Sequence, residues 1–254
     1  MERPMISVIM PAYQAAHDIG EAIRSVQRQT CKEPWELLVI DDCSTDHTAQ
    51  VVRSYAKEDA RIRYLRQRKN RGVAAARNLG IRMARGAYLA FLDADDWWDA
   101  DKLRLQMQCI RRTGTVLCCT GRELMRADGT PTGRIIQVPK TITYRMLLYT
   151  NVIPCGSVVL RADVAKEFQF VCDQYHEDYI LWLRILKKYQ TASGVNIPAL
   201  KSRQSAAGKS RNKWKSARMQ YGSYRYLGFG CIRSLYYMLF YTCNGFRKYH
   251  ITRR

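Results

Sequence analysis

The stretch that decides the fold is Tyr88-Leu-Ala-Phe-Leu-Asp-Ala-Asp-Asp96, an apolar run that leads without a turn into three carboxylates. A short apolar run bounded by polar residues is typical of a buried strand. The same pattern occurs twice earlier in the chain, because Ile6 to Met10 ends at Pro11 and Trp35 to Ile40 runs into Asp41-Asp42. Three buried strands are therefore expected, each ending at polar residues.

Apolar residues at helical spacing separate these runs. They recur from Ile19 to Val26, and again from Ala74 to Met83 behind Gly72. Arg61 to Leu65 alternates apolar and basic residues, which favours an edge strand. This alternation of strand and helix predicts an α/β fold, in which a mostly parallel sheet is flanked by helices.

The second half of the chain is more mixed. Lys102 to Ile110 and Glu177 to Lys188 have helical spacing. Val116 to Met125 and Arg134 to Val138 flank the turn sequence Ala127-Asp-Gly-Thr130, which predicts an antiparallel hairpin.

Polar clusters follow the three buried strands, where ligands of an open α/β sheet bind. They are Pro11-Ala-Tyr13, Asp41-Asp42 and Asp93-Ala-Asp-Asp96. A single aspartate at a strand end is more often only a helix cap, but five carboxylates around one crevice repel one another. A divalent cation offsets this repulsion, and Mg²⁺ is usually held by one or two carboxylates together with substrate phosphates. Asp93 and Asp95 therefore predict a metal that carries a diphosphate.

Five motifs follow one another along the chain. They are Ile6-Ser-Val-Ile-Met-Pro-Ala-Tyr13, Val39-Ile-Asp-Asp-Cys-Ser-Thr-Asp46, Asn70-Arg-Gly-Val-Ala-Ala-Ala-Arg-Asn-Leu-Gly80, Phe91-Leu-Asp-Ala-Asp-Asp96 and His176-Glu-Asp-Tyr-Ile-Leu-Trp-Leu183. In this order they resemble glycosyltransferase family 2, over roughly residues 4–204. The resemblance implies the GT-A fold, a Rossmann-like nucleotide-sugar-binding fold, and inverting transfer of a sugar from a nucleotide diphosphate donor.

The resemblance also implies a donor site. By position, Pro11, Tyr13 and Asp42 would line the pocket for uracil or another base, so a UDP-linked donor is expected. Arg77 would lie near the base and the diphosphate. The chain departs from the family pattern after the tyrosine, where Gln14 replaces the usual asparagine.

The acidic motif at residues 93–96 would hold the diphosphate and its metal. By the same resemblance, Asp93 would contact the ribose and Asp95 the cation, which we expect to be Mn²⁺ or Mg²⁺. Asp96 is a further candidate metal ligand, since some members of the family carry two adjacent acids here.

The general base is expected at the start of the last core helix. The resemblance assigns it to Asp178, and a carboxylate within hydrogen-bond reach can deprotonate an acceptor hydroxyl as that hydroxyl attacks. Glu177 and His176 are the rival candidates, because neighbours at a helix start can face one cleft. The alternatives are that the two acids only favour a helix N-terminus and that His176 is an ordinary surface residue.

Charge divides the chain unevenly. The net charge is +20, and 16 of the 42 basic residues but none of the 22 acidic ones follow Asp178. We expect a catalytic domain at residues 1–204, with nucleotide-sugar binding at about 1–97 and the acceptor and catalytic part at about 98–204. Residues 205–254 are expected to form a basic, aromatic, helical C-terminal extension.

The extension admits three interpretations. Its aromatic residues alternate with Lys and Arg, from Trp214 to Tyr249. They could stack on single-stranded nucleic acid, lie on an anionic membrane surface, or pack on the catalytic domain. Binding to nucleic acid is the least favoured of the three.

Two classes of function follow from the sequence. The first is a glycosyltransferase acting on a saccharide or lipid-linked acceptor in bacterial cell-surface polysaccharide synthesis. The second is a nucleic-acid-binding or interaction protein on a catalytically idle version of the fold. A nicotinamide-dependent oxidoreductase is disfavoured because no GxGxxG follows the first strand. The oligomeric state is left open.

The location of the protein is expected to be cytoplasmic, with peripheral attachment to the inner leaflet as a possibility. The nine cysteines are scattered without paired spacing, which favours a reducing compartment. The apolar stretch from Met5 to Met10 is shorter than the core of a signal peptide. Leu235 to Tyr241 is too short to span a bilayer.

Overall fold

A computed structural model describes residues 3–171, 173–204 and 213–250 of the chain. The strands are β1 (Ile6–Ala12), β2 (Trp35–Asp41), β3 (Ile62–Arg66), β4 (Tyr88–Phe91), β5 (Trp97–Trp98), β6 (Leu117–Met125), β7 (Pro131–Ile136), β8 (Thr141–Thr143), β9 (Val159–Arg161) and β10 (Thr191–Arg203). The helices are α1 (Ile19–Gln27), α2 (Thr48–Glu58), α3 (Val73–Met83), α4 (Lys102–Thr113), α5 (Tyr144–Tyr149), α6 (Ala162–Phe168), α7 (Glu177–Tyr189), α8 (Lys213–Tyr226) and α9 (Cys231–His250).

The strands form one mixed sheet in the order β3-β2-β1-β4-β9-β6-β10-β5, with β7 beside β6 and β8 beside β10. The first four strands in this order are parallel, and β3 is an edge strand as the sequence predicts. The second half adds antiparallel pairs, among them the expected hairpin of β6 and β7. The α/β fold with a central sheet flanked by helices is confirmed.

Two apolar layers cover the two faces of the sheet, because side chains alternate along each strand. Along β1, Val8 and Met10 pack with α1, α2 and α4 on one face. Ile9 points to the other face and packs with α3, α5, α6 and α7. The strands are buried on both sides, which explains their nearly continuous apolar sequences.

Strand β10 was not predicted, because its sequence lacks a regular pattern. It contains Gly194 and Pro198, and its register with β6 shifts between Val195 and Leu200. A proline and a glycine inside a strand mark such an irregularity. The strand carries the chain back to the acidic loop, where Arg203 ends it.

The basic C-terminal region folds as α8 and α9, while residues 205–212 and 251–254 of the expected extension lie outside the described part. Ring contacts hold these helices to the body, with Tyr237 at 5.4 Å from Tyr149 and Tyr241 at 5.8 Å from Tyr179 between ring centroids. Packing on the domain therefore occurs. Among the described residues, no helix has the length and apolarity needed to cross a membrane.

A lysine is buried under the sheet at the start of α4. The Nζ atom of Lys102 donates to Gln106 Oε1 at 2.7 Å and lies 3.9 Å from the centre of the Trp98 ring. Because the side chain is fully buried, desolvation lowers the pKa of Lys102 from its usual value near 10.5 to about 7.

Because burial lowers the pKa of Lys102, the free energy of unfolding should depend on pH. Between about pH 7 and pH 10 the unfolded chain binds a proton at Lys102 that the folded chain lacks, so raising the pH should stabilise the fold, by up to about 1.4 kcal/mol per unit. Lys102→Met removes this contribution. Urea unfolding at pH 7, 8 and 9 should show the wild type gaining stability relative to the variant. If the free energies of unfolding of the two proteins changed in parallel with pH, Lys102 would be charged in the folded state.

Candidate active site

A buried arginine joins the two acidic motifs of the site. Arg77 Nη2 donates to Asp93 Oδ1 at 2.7 Å, and its Nη1 donates to Glu177 Oε1 at 3.0 Å. Its side chain is 5% exposed and lies against the ring of Phe170. The bridge fixes the end of β4 against the start of α7, although 84 residues of sequence separate Asp93 from Glu177.

The two motifs open into one cavity of about 490 Å³. Its lining includes six of the residues predicted from the sequence: Arg77, Asp93, Asp96, His176, Glu177 and Asp178. Burial raises the pKa of Asp178, and the neighbouring Glu177 raises it further, while Arg77 and His176 act in the opposite direction. A carboxylate with a raised pKa in a cavity is suited to accept a proton.

The two rivals of Asp178 have structural contacts of their own. A carboxylate oxygen of Glu177 is engaged by Arg77. His176 is half-buried rather than an ordinary surface residue, and its Nε2 lies 3.3 Å from the carbonyl oxygen of Ser216 on α8. Both contacts hold the start of α7 in place, so the structure gives each rival a role in positioning.

A second cleft, of about 400 Å³, meets the cavity at Asp93. Pro11, Tyr13, Asp42, Asp93 and Asp95 line this cleft together, which is the grouping that the sequence predicts for the donor. Tyr13 is 53% exposed, so its ring offers an open aromatic surface at the end of β1. Arg77, which the sequence also predicts for the donor, lines the cavity and not this cleft.

Asp42 also stabilises the loop that follows β3. Its Oδ1 accepts hydrogen bonds from Gln67 Nε2 and from the backbone N–H of Arg71, and its Oδ2 accepts one from the N–H of Gly72. Gly72 has φ of +84°, and a Cβ there would lie 1.7 Å from the Asp173 carboxylate. Only glycine at position 72 therefore allows the Asp173 carboxylate to approach the N-terminus of α3.

Gln14, which departs from the family pattern, connects the loops after β1 and β2. Its Oε1 accepts hydrogen bonds from the backbone N–H groups of Thr45 and Asp46 at 2.9 and 3.2 Å. Its φ of +52° lies in the left-handed region, where asparagine is the commoner residue. The longer side chain thus provides a polar link between the two loops in spite of the substitution.

The carboxylates of the acidic loop crowd one another. Burial, together with Asp93, raises the pKa of Asp95 to about 6. Burial, Asp93 and Asp95 raise the pKa of Asp96 well above its usual range, and Asp96 Oδ1 accepts a hydrogen bond from the backbone N–H of Arg203. Asp95 lines the cleft, whereas Asp96 lines the cavity and is almost fully buried.

This donor set fits a divalent cation that is shared with a substrate. Oxygen ligands and repelling negative charges suit Mg²⁺ or Mn²⁺. Among the described residues, no three His, Cys, Asp or Glu side chains are grouped to hold a metal on their own. A cation at Asp95 would therefore need further oxygen ligands, such as those of a diphosphate.

Sequence reasoning missed Arg203, whose positive charge offsets the negative charge of the acidic loop. Its Nε donates to the Asp95 carbonyl oxygen at 3.1 Å, and its Nη2 donates to Glu21 at 2.7 Å. The side chain is 8% exposed and lies 4.9 Å from the Trp97 ring. The surplus of carboxylates signals that a cation is needed, but the sequence does not identify which of 42 basic residues provides it.

Comparison with known proteins identifies the class of enzyme. The family model described as glycosyl transferase family 2 matches residues 7–168. Together with the fold and the grouping of the acidic motifs, this match makes the protein a GT-A glycosyltransferase. The chain belongs to glycosyl transferase family 2.

Two curated relatives align over most of the chain. A putative teichuronic acid biosynthesis glycosyltransferase, TuaG of Bacillus subtilis, is 36% identical over 88% of this chain and 88% of its own. The Escherichia coli UDP-Glc:alpha-D-GlcNAc-diphosphoundecaprenol beta-1,3-glucosyltransferase WfgD is 35% identical over 98% of this chain and 96% of its own. The chain is thus related to enzymes of cell-surface polysaccharide synthesis.

Two solved structures share the fold. Staphylococcus aureus TarS 1-349 in complex with UDP-GlcNAc superposes with a TM-score of 0.70 and 18% identity, over 92% of this chain and 70% of that one. The Pyrobaculum calidifontis mannosyltransferase PcManGT in complex with GDP-Man and Mn²⁺ superposes with a TM-score of 0.68 and 18% identity, over 94% of this chain and 70% of that one.

Arg203 provides a test of how the acidic loop is stabilised. Arg203→Met removes a buried cation and its hydrogen bonds from the neighbourhood of Asp18, Glu21 and Asp95, so unfolding free energy should fall by about 2–4 kcal/mol. Lys201→Met is the matched control on the same strand, since Lys201 pairs with Asp99 and Glu123 away from the site. Lys201→Met leaves the contacts of the acidic loop with Arg203 intact, so this control should lose less stability than Arg203→Met in urea unfolding. Equal losses would contradict a special role for Arg203.

Proposed function

We propose that the protein transfers a sugar, with inversion, from a nucleotide diphosphate sugar to a hydroxyl group of a saccharide or lipid-linked acceptor. The observation that carries the proposal is the position of Asp93, which lines both the cleft and the cavity. A donor held along the cleft would have its sugar directed towards the cavity that contains Asp178. The acceptor would enter from the cavity side.

The nucleotide is proposed to lie in the cleft, with its base against Pro11 and Tyr13. The exposed Tyr13 ring is a stacking surface, and Asp42 lies beside it. UDP is the proposed nucleotide because the name of the relative WfgD specifies UDP-Glc and the TarS structure contains UDP-GlcNAc. Asp93, at the junction of the two spaces, is proposed to contact the ribose or the diphosphate.

A divalent cation, Mn²⁺ or Mg²⁺, is proposed to be held at Asp95. Its charge would stabilise the negative charge that develops on the leaving diphosphate. Asp95 lines the cleft, where burial and the neighbouring Asp93 raise its pKa to about 6, and a bound cation would favour its ionised form. Asp96 is a weaker candidate ligand, because its buried carboxylate already accepts a hydrogen bond from Arg203.

Asp178 is proposed as the general base. Inversion requires a group that takes the proton from the acceptor hydroxyl while that hydroxyl attacks the far side of the anomeric carbon. Burial and the neighbouring Glu177 raise the pKa of Asp178, which makes its carboxylate a stronger base. Glu177 and Arg77 are proposed as positioning residues, because their ion pair fixes the start of α7 beside Asp93.

The acceptor is proposed to be an intermediate of bacterial cell-surface polysaccharide synthesis at the cytoplasmic side of the membrane. The teichuronic acid and diphosphoundecaprenol relatives described above support this class of acceptor. The cavity is also suited to a hydroxyl-rich group: Thr120 Oγ1, which lines it, is buried without a hydrogen-bond partner among the described residues. An acceptor oxygen could satisfy it.

The metal proposal predicts cation-dependent nucleotide binding. UDP should bind the wild type much more tightly with Mn²⁺ than with a chelator, because the cation links the diphosphate to Asp95. Asp95→Ala should remove the difference, as measured by titration calorimetry. Asp101→Ala, which alters an exposed carboxylate at the start of α4, should retain it. Metal-independent binding of equal strength in the wild type would exclude the proposal.

The base proposal predicts a loss of turnover without a loss of donor binding. Asp178→Asn keeps the size of the side chain but removes its basicity, so kcat should fall by roughly 10² to 10⁴. Activity of the wild type should decline as the pH falls through the pKa of Asp178, and this acidic limb should be missing from the residual activity of the variant. UDP affinity should stay within a factor of about three.

Glu177→Gln separates the two acids. It should lower stability, because Arg77 loses a buried partner, but should keep most of the turnover and the acidic limb of the pH profile. If Glu177→Gln were inactive while Asp178→Asn turned over normally, the base would be Glu177.

A further inference from the structure

Helix α9 has a largely exposed apolar face, which the ring of Tyr149 on α5 touches along one edge, at Tyr236 and Phe240. Ile232, Leu235 and Leu239 are 86%, 52% and 62% exposed. Tyr236 and Phe240 are also exposed, and Cys243 continues the row. Residues spaced by three and four lie on one side of a helix. The face therefore forms a continuous apolar stripe rather than scattered exposed residues, and such a stripe marks an interaction surface.

The opposite face of the same helix is bound to the body of the enzyme. Tyr237 contacts Phe229 and Tyr224, with ring centroids 5.4 and 5.8 Å apart, and Ser234 is fully buried. Asn244 Nδ2 donates to the carbonyl oxygen of Tyr149. These contacts fix how α9 is turned, so the stripe faces outwards from Ile232 to Cys243.

The positive charge of the C-terminal region indicates what covers the stripe. Arg233 is exposed and follows Ile232 in α9, whereas the exposed Arg218 and Arg225 of α8 line a separate groove beside α3. No acidic residue occurs after Asp178. A second copy of the chain would bring the same positive charge to the contact, which opposes self-association through this face. An anionic lipid surface offers both an apolar layer and negative charge.

The helix also takes part in the proposed acceptor cavity. Tyr241 and Gly245 line the cavity that contains Asp178. A single helix thus has one face at the catalytic cavity and the other at the exposed stripe. A surface that covered the stripe would lie close to the entrance used by the acceptor.

We infer that α9 lies flat in the interface of an anionic membrane leaflet, with its apolar stripe among the lipids. Attachment in this orientation holds the cavity beside the membrane, where a lipid-linked acceptor is presented. The link to the acceptor rests on the proposed function, whereas the membrane contact itself does not. Because part of the helix stays bound to the enzyme, α9 lies in the plane of the interface and does not cross it.

Vesicle flotation with the full chain tests the membrane contact. The wild type should float with vesicles of phosphatidylglycerol and phosphatidylcholine at low salt, and less so at high salt, since screening weakens the charge attraction. Leu235→Gln/Leu239→Gln removes apolar area without changing charge, so its affinity for these vesicles should fall at least about tenfold. The matched control is Met83→Gln, an exposed apolar residue at the end of α3, which should bind as the wild type does.

A charge variant separates the two contributions. Arg233→Gln should weaken the salt-sensitive part of binding while keeping the apolar stripe. Wild-type protein that does not float with anionic vesicles at low salt would overturn the inference. Undiminished flotation of the leucine variant would also overturn it, because the stripe would then not be the contact. A wild-type dimer that the leucine variant converts to monomer, without vesicle binding by either, would make a second copy the occupant.

Activity measurements distinguish this inference from the proposed function. The leucine variant should keep its UDP affinity and its turnover of an acceptor saccharide on a short, water-soluble chain. It should lose activity on the same saccharide when a long lipid chain embeds it in vesicles. Failure of UDP binding in the wild type would contradict the proposed function and leave the flotation result standing. Equal activity of the wild type and the leucine variant on the embedded acceptor would overturn the role of α9 in presenting it.

Discussion

The site depends on one buried guanidinium, that of Arg77. Burying a charge is costly unless it is paired and hydrogen-bonded, and Arg77 meets this condition by donating to Asp93 and Glu177. Its planar fork can serve two carboxylates from different elements at once, which a lysine could not do with the same geometry. Because α3 supplies Arg77, β4 leads into Asp93 and α7 starts at Glu177, this bridge holds the cleft and the cavity of the site next to each other.

A second cation stabilises the other half of the acidic loop. The side chain of Arg203 donates hydrogen bonds to the backbone of Asp95 and to the side chain of Glu21. Its backbone N–H donates a hydrogen bond to the carboxylate of Asp96. The loop is thereby held with its carboxylates close together, which raises the pKa of Asp95 and Asp96 through burial and mutual repulsion. Such crowding costs stability and is typical of functional sites. The repulsion that remains at the cleft is what a divalent cation would relieve.

The C-terminal helices connect the catalytic centre with the outside of the molecule. His176, next to the proposed base, contacts the backbone of α8, and Tyr241 of α9 packs on Tyr179 of α7. The extension is therefore part of the cavity wall as well as a basic surface. One face of α9 packs its aromatic residues on the domain. The membrane contact inferred above concerns the other, exposed face and stays a proposal.

The sequence by itself determined the parallel core and the identity of the acidic motifs. Apolar runs that end at Pro11, Asp41 and Asp93 identify strands whose carboxyl ends must meet at one edge, because parallel strands share a direction. It could not determine β10 or Arg203, since an irregular strand with Gly194 and Pro198 has no periodic pattern and a basic residue carries no sign of its partner. It also could not separate the exposed from the packed side of α9. Those features arise from contacts between residues far apart in the chain, such as Arg203 with Glu21 and Tyr237 with Tyr149, and only the tertiary structure brings these together.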